Sequence, residues 1–227
     1  MSTKRVSVVY YSDILCIWAY VAQIRVDELR LNFSEQVSID YRFVPIFGSV
    51  QNRIGERWAD RGGLAGYAGH VKEVAGQFDH VELHPDAWTK NVPAGSFGVH
   101  VFVKALAIGN ESNKTFGKRT ALEELMWRLR LAFFRDLRDI GRLDVQLDAA
   151  KTMGLDTAPI RRRLDDGSAL AALAEDHDFA ARHQVTGSPT YLLNEGRQKI
   201  YGNVGYRIIE ANIQELLRDD RSMASWC

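Results

Sequence analysis

Six consecutive uncharged residues, Val6-Ser7-Val8-Val9-Tyr10-Tyr11, run into Ser12-Asp13 and then into a helix-like segment opening at Cys16. This junction constrains the fold more than any other feature of the chain. A short β-rich run without charge suits a strand buried on both faces. Beyond Cys16, Val21, Ile24, Leu29 and Leu31 recur between Asp27, Glu28 and Arg30, the pattern of an amphipathic helix continuing to Leu31. Val37 to Phe43 then alternates apolar and polar residues and ends at Val44-Pro45, which predicts a second strand. Strand, helix and strand in such close succession make a βαβ unit and an α/β fold.

From about Gln51 to Leu155 the pattern turns helical, punctuated by Gly62-Gly63 and Pro93-Ala94-Gly95. The clearest stripe, Leu122, Leu125, Met126, Leu129, Phe133, Leu137 and Ile140, predicts one helix over Thr120 to Ile140. After Pro159 a helix is expected from Ala169 to His183. A turn at Val185 to Pro189 feeds a strand, Asn194-Glu195-Gly196 signals a hairpin into a strand near Gln198 to Tyr201, and Ile208 to Leu217 closes the chain as a helix. The order βαβ, helices, ββα is that of a thioredoxin-like fold with an inserted α-helical subdomain. The expected boundaries are 1–50 and 156–227 for the thioredoxin-like domain and 51–155 for the insertion.

Composition narrows the function. The 29 lysines and arginines balance 29 aspartates and glutamates, so no global field favours nucleic acid or an anionic membrane. No stretch approaches the roughly 20 apolar residues of a membrane span. The apolar run at the start is too short for a signal-peptide core, which makes the cytoplasm the expected compartment. Two cysteines, Cys16 and Cys227, cannot form a multi-disulfide framework, so a purpose beyond packing would be reactivity. His80 and His84 have the spacing of helical metal ligands, but Pro85 follows at once and no metal site is expected. Asp176-His177-Asp178 reads as a solvated helix face.

The segment Ser12-Asp13-Ile14-Leu15-Cys16-Ile17-Trp18-Ala19-Tyr20 resembles the D-x-x-C-P-W-C-Y active-site segment of the DsbA family, with Asp13, Cys16, Trp18 and Tyr20 in register. Asn91 to Ala105 and Ala132 to Ile140 resemble the helical insertion of its FrnE-like branch, and Val185-Thr186-Gly187-Ser188-Pro189-Thr190-Tyr191 is similar to its V-x-G-V-P-T-F cis-proline loop. The resemblance implies thiol–disulfide or glutathione-linked chemistry. The family's relatives include kappa-class glutathione transferases and 2-hydroxychromene-2-carboxylate isomerases. Two departures stand out: Ile17 replaces the motif proline and Ala19 replaces the second cysteine.

A thiol at a helix start faces unpaired N–H groups and the positive end of the helix dipole, which predicts a stabilised thiolate at Cys16. In a C-x-x-C site the second thiol resolves the mixed disulfide; Ala19 cannot. The remaining resolvers are Cys227, on a tail expected to be unstructured, and an external thiol such as glutathione. The resemblance implies that Ser188 and Pro189 dock a substrate backbone, with Thr190 packing or hydrogen-bonding nearby. Asp13 would cap the helix or orient ligand, its charge opposing thiolate formation if close to Cys16. Trp18 and Tyr20 would wall the substrate or pack on the insertion, and Ser12, with Tyr11, is a binding candidate. The implied function is a monothiol DsbA-family oxidoreductase acting on a small thiol, a glutathione conjugate or a cysteinyl peptide. Its alternatives are a glutathione transferase or isomerase and a peptide-binding, chaperone-like module. Nothing in the sequence specifies a homodimer or rules one out.

Overall fold

A computed structural model describes residues 5–218; Cys227 lies outside them. Strand β1 (Val6–Ser12) leads into helix α1 (Ile17–Phe33) and strand β2 (Val37–Phe43). A π-helical turn, Gln51–Glu56, follows, then α2 (Gly63–Ala75) and α3 (Phe97–Ala107). A small hairpin, β3 (Thr115–Phe116) and β4 (Arg119–Thr120), precedes α4 (Ala121–Phe134), α5 (Leu143–Thr152), α6 (Thr157–Asp165) and α7 (Ser168–Arg182). Strands β5 (Thr190–Leu193) and β6 (Gln198–Tyr201) and helix α8 (Tyr206–Arg218) complete the chain.

The main sheet runs β2-β1-β5-β6, with β1 parallel to β2 and antiparallel to β5, and β5 antiparallel to β6. The uncharged run is thus an interior strand, as its composition requires. Tyr10 and Tyr191 are cross-strand partners on one face, their rings 4.9 Å apart, in the core shared with α1 and α8. Tyr11 and Leu192 face the other way and pack with Ala180 of α7 and Val185. Both faces of the sheet are therefore covered. The β5–β6 hairpin turns at Asn194-Glu195-Gly196, all three with positive φ, so the right-handed strand twist continues across a tight turn.

Two expectations change. The helix expected over Thr120 to Ile140 stops at Phe134. It starts at a capping box, where Thr120 accepts from the Glu123 N–H and Glu123 from the Thr120 N–H. At its other end the Asp136 N–H bonds back to Leu131 O and the Arg138 N–H to Ala132 O, with Leu137 at φ 56° between them. Ile140 still reaches the core, but through a turn, so a shared apolar stripe does not imply one helix. The solvated face expected at Asp176 is wrong as well. Asp176 is buried, pairs with Lys104 of α3 at 2.9 Å and accepts the Phe43 N–H, because α7 turns this residue toward β2 and α3. His80 and His84 lie in a loop, the reading favoured over a helical pair: His80 Nε2 sits 3.0 Å from Val21 O, and His84 Nδ1 accepts the Asp86 N–H.

Candidate active site

At the end of β1 the chain turns through Asp13-Ile14-Leu15, and Cys16 is the N-cap of α1, with an extended backbone (φ −81°, ψ 118°). Its carbonyl accepts the Ala19 and Tyr20 N–H groups at 3.1 Å each, the first bonds of the helix. The thiol is 5% exposed and donates to Ser188 O at 3.4 Å. Ser188 Oγ accepts the Asp13 N–H at 2.9 Å, so the loop is held to the Cys16 turn from both sides. The Ser188–Pro189 peptide bond is cis. Burial pushes the Cys16 thiol above its ordinary range; hydrogen bonding from Ser188 and the Ala19 N–H pulls it down, and the Asp13 charge pushes it up. The expected helix-end stabilisation is thus present at Cys16 but outweighed by desolvation.

Asp13 does not cap α1. Its carboxylate is wholly buried, with Oδ1 accepting the Leu15 N–H at 2.9 Å and Oδ2 accepting the Phe47 N–H at 2.9 Å and Ser96 Oγ–H at 2.8 Å. His100 Nε2 lies 3.4 Å from Oδ1 and 3.2 Å from the Ile14 nitrogen. Burial alone would raise the carboxyl; His100, Phe47 and Ser96 together hold it below its ordinary range. One side chain therefore fastens the Cys16 turn to the loop after β2 and to α3. Sequence reasoning missed Phe47, Ser96 and His100, which lie 34 to 87 positions away and carry no motif that names a partner.

The other candidates divide between half-buried and interior. Trp18 is half-buried, its ring centroid 6.5 Å from that of His70 on α2. Tyr20 is 1% exposed, stacks on Phe134 with ring centroids 4.9 Å apart, and donates its hydroxyl to Glu82 O. Of the two readings for these aromatics, packing on the helical segment applies to Tyr20. Ser12 is also interior, its Oγ accepting from Arg130, and Tyr11 donates to Asp176 O. Thr190 is buried and donates to Gly187 O at 2.8 Å, bracing the Ser188 loop from within. Ala19 is fully buried on α1.

The DSBA-like thioredoxin domain model matches residues 7–214. The chain belongs to this family. No curated protein is a significant sequence match. Among solved structures, a protein described as a disulfide isomerase from Nitrosomonas europaea superposes with TM-score 0.70 at 15% identity, over 95% of this chain and 97% of that one. A 2-hydroxychromene-2-carboxylate isomerase gives 0.67 at 17%, over 96% and 100%. The cytosolic disulfide reductase DsbM from Pseudomonas aeruginosa, solved with GSH, gives 0.63 at 16%, over 93% and 96%. At these identities the likeness establishes the shared fold.

Beside the Ser188 loop this DSBA-like chain has a groove of about 460 Å³, lined among others by Pro45, Ser49, Asn52, Arg53, Arg57 and Thr186. Neither Arg53 nor Arg57 has a carboxylate partner among the described residues. Two free guanidinium groups one helical turn apart suit a carboxylate-bearing ligand. Their spacing was visible in the sequence; that they meet Thr186 depends on the fold.

Proposed function

We propose that this protein is a monothiol, glutathione-dependent reductase of mixed disulfides on small thiols. The observation that carries the reading is the Cys16 thiol at a helix start, bonded to Ser188 O, with buried Ala19 where a resolving thiol would stand. The Cys16 sulfur attacks the glutathione sulfur of R–S–S–G. A Cys16–glutathione disulfide forms, the S–S bond of R–S–S–G breaks, and R–S⁻ leaves to take a proton. Glutathione thiolate then attacks the same glutathione sulfur, releasing oxidised glutathione and returning Cys16. The net change is R–S–S–G + GSH → R–SH + GSSG, so two electrons pass from glutathione to the substrate disulfide. Ser188 and Pro189 would dock the backbone of the cysteinyl moiety, and Arg53 and Arg57 supply charge for its carboxylates. DsbM, a cytosolic disulfide reductase solved with GSH, shares this fold and supports the reading. The cytoplasm, where thiols are kept reduced, is the compartment that suits it.

Burial of the thiol favours a second reading, of the isomerase and kappa-transferase type. There Cys16 stays protonated and donates to the thiolate of bound glutathione without a covalent adduct. Intact mass after exposure to oxidised glutathione, with calorimetric titration of reduced glutathione, separates the two. A Cys16 adduct released by reduced glutathione supports the reductase; tight binding with no adduct supports the second reading. An unreactive Cys16 with no glutathione affinity overturns both and leaves a peptide-binding module.

A further inference from the structure

Tyr201 ends β6 and is 65% exposed, yet its ring is seated. The ring edge lies against Gly187: a Cβ built on that glycine would stand 2.1 Å from Tyr201 Cε2, 2.7 Å from Cζ and 2.8 Å from Oη. Gly187 has no positive φ, so the position uses the missing side chain for room and not for backbone freedom. The backbone around the contact is held too. Tyr201 is the cross-strand partner of Thr190, and the Gly202 N–H bonds to Pro189 O at 2.9 Å. Lys199 Nζ donates to the His183 and Gln184 carbonyls at 3.3 and 3.1 Å, tying β6 to the end of α7. Single exposed aromatic side chains are ordinary on a protein surface. One seated on a bare glycine next to Ser188 is not.

The strand register places that ring relative to the thiol. Ser12 pairs with Phe43, Tyr11 with Thr190, and Thr190 with Tyr201, so the ends of β1, β2 and β6 and the start of β5 lie at one end of the sheet. β2 and β6 are its two edges. The groove of Arg53 and Arg57 is built on the segment after β2, with Val44, Pro45 and Ile46 in its wall. Tyr201 comes from the opposite edge. Between them stand Cys16 and Ser188, with the thiol 3.4 Å from the Ser188 carbonyl oxygen. The loop itself divides the two, with Thr186 in the groove wall and Gly187 under the tyrosine. The Gly187 contact and one Cα–Cα step of about 3.8 Å put the phenol within about 8 Å of Ser188 Cα. A disulfide whose glutathione carboxylates sit on the two guanidinium groups leaves its other half free to extend toward the tyrosine.

We propose that Tyr201 is a specificity residue of the exchange site: its exposed ring packs on the thiol half of the mixed disulfide and selects thiols with a planar, apolar body, of which benzyl thiol is the simplest. The inference rests on the reductase reading for the identity of the two halves. The bond changes are those of that reaction: Cys16 takes the glutathione sulfur, the substrate S–S bond breaks, and the benzyl thiolate leaves to take a proton. Tyr201 neither gives nor takes a proton. It contributes ring packing and removal of apolar surface from water, and a ring already held by Gly187 loses little freedom when the substrate arrives.

The test compares the glutathione mixed disulfides of benzyl thiol and of 2-mercaptoethanol as substrates for the parent, Tyr201→Ala, Gly187→Ala and the double variant. Tyr201→Ala should lower the benzyl-to-hydroxyethyl ratio of kcat/KM about threefold to tenfold, mostly through KM. At so exposed a position its thermal melt should stay within about 2 °C of the parent. Gly187→Ala keeps the tyrosine but drives its ring off the loop, so it should lower the same ratio; in the Tyr201→Ala background it should change the ratio no further. A ratio unchanged by Tyr201→Ala, or an effect of Gly187→Ala that is the same with and without the tyrosine, overturns the proposal. Alkylation of Cys16 by N-benzyl iodoacetamide against iodoacetamide, followed by intact mass, reads the same preference without turnover. If Tyr201→Ala lowers that preference while no glutathione adduct forms in any of the proteins, Tyr201 keeps its assignment and the reductase reading fails instead.

Discussion

Replacing Asp13 by asparagine tests whether one buried carboxylate organises the site. The parent side chain serves the Leu15 and Phe47 N–H groups and the Ser96 hydroxyl with two acceptor oxygens. Asparagine keeps one acceptor and turns an NH₂ toward the other partners. With its oxygen facing Phe47 and Ser96, the buried Leu15 N–H meets another donor and is orphaned, at a cost of about 1–3 kcal/mol. For a chain of this size that lowers the melting temperature by roughly 2–12 °C. The pH dependence gives a sharper signature. The carboxyl lies below its ordinary value of 3.8 in the fold, so its contribution is complete above that value and fades as pH falls through the lowered one. The deficit of Asp13→Asn should therefore be full at pH 7 and shrink in acid below about pH 4. Thermal melts of parent and variant across that range measure both quantities. Equal melts at pH 7, or a deficit that does not shrink in acid, would refute the account of Asp13 as the ionised tie. Alkylation adds a check: because Asp13 raises the Cys16 thiol, the variant should react at lower pH.

Restoring the missing thiol with Ala19→Cys should give dithiol activity, read as turbidity from insulin reduction; no gain over the parent would show that more than the resolving sulfur is absent. Lys104→Met strands buried Asp176, which keeps only the Phe43 N–H and Arg42 at 3.8 Å, and urea unfolding should show a loss of about 3 kcal/mol. Gly95→Ala would place a Cβ 2.3 Å from Gly48 O, a backbone clash no rotamer can relieve, and should cost about 1–3 kcal/mol by the same measurement. Arg53→Gln with Arg57→Gln should raise KM for a glutathione mixed disulfide several-fold with kcat little changed, since the groove binds the carboxylates and not the sulfur; a selective fall in kcat would contradict that division.

Much of the fold was legible because its signals are local. The uncharged run of β1, the alternation of β2, and the Asn194-Glu195-Gly196 turn each encode their conformation within a few residues. The inward face of α4 was legible too, but not its end, because Leu137 leaves the helix through a positive φ that a leucine does not advertise. Asp176 reads as surface beside His177 and Asp178; only the packing of α7 against β2 and α3, where Lys104 waits, makes it interior. Within the site, Cys16 and the Ser188 loop were legible as residues in a motif. The partners of Asp13 were not, since a hydrogen bond from Phe47 or Ser96 leaves no periodic trace along the chain.

The cysteine at the strand–helix junction was determined by sequence alone, as was the lack of a second thiol at position 19: both follow from residue identity and a turn of helix. Whether that cysteine rests as thiol or thiolate was decided only by the tertiary structure. The helix end favours the anion, but the Ser188 loop and burial of the Cys16 turn in the core remove water from the sulfur. Desolvation depends on everything that covers an atom, and that cover is assembled from segments far apart in the chain.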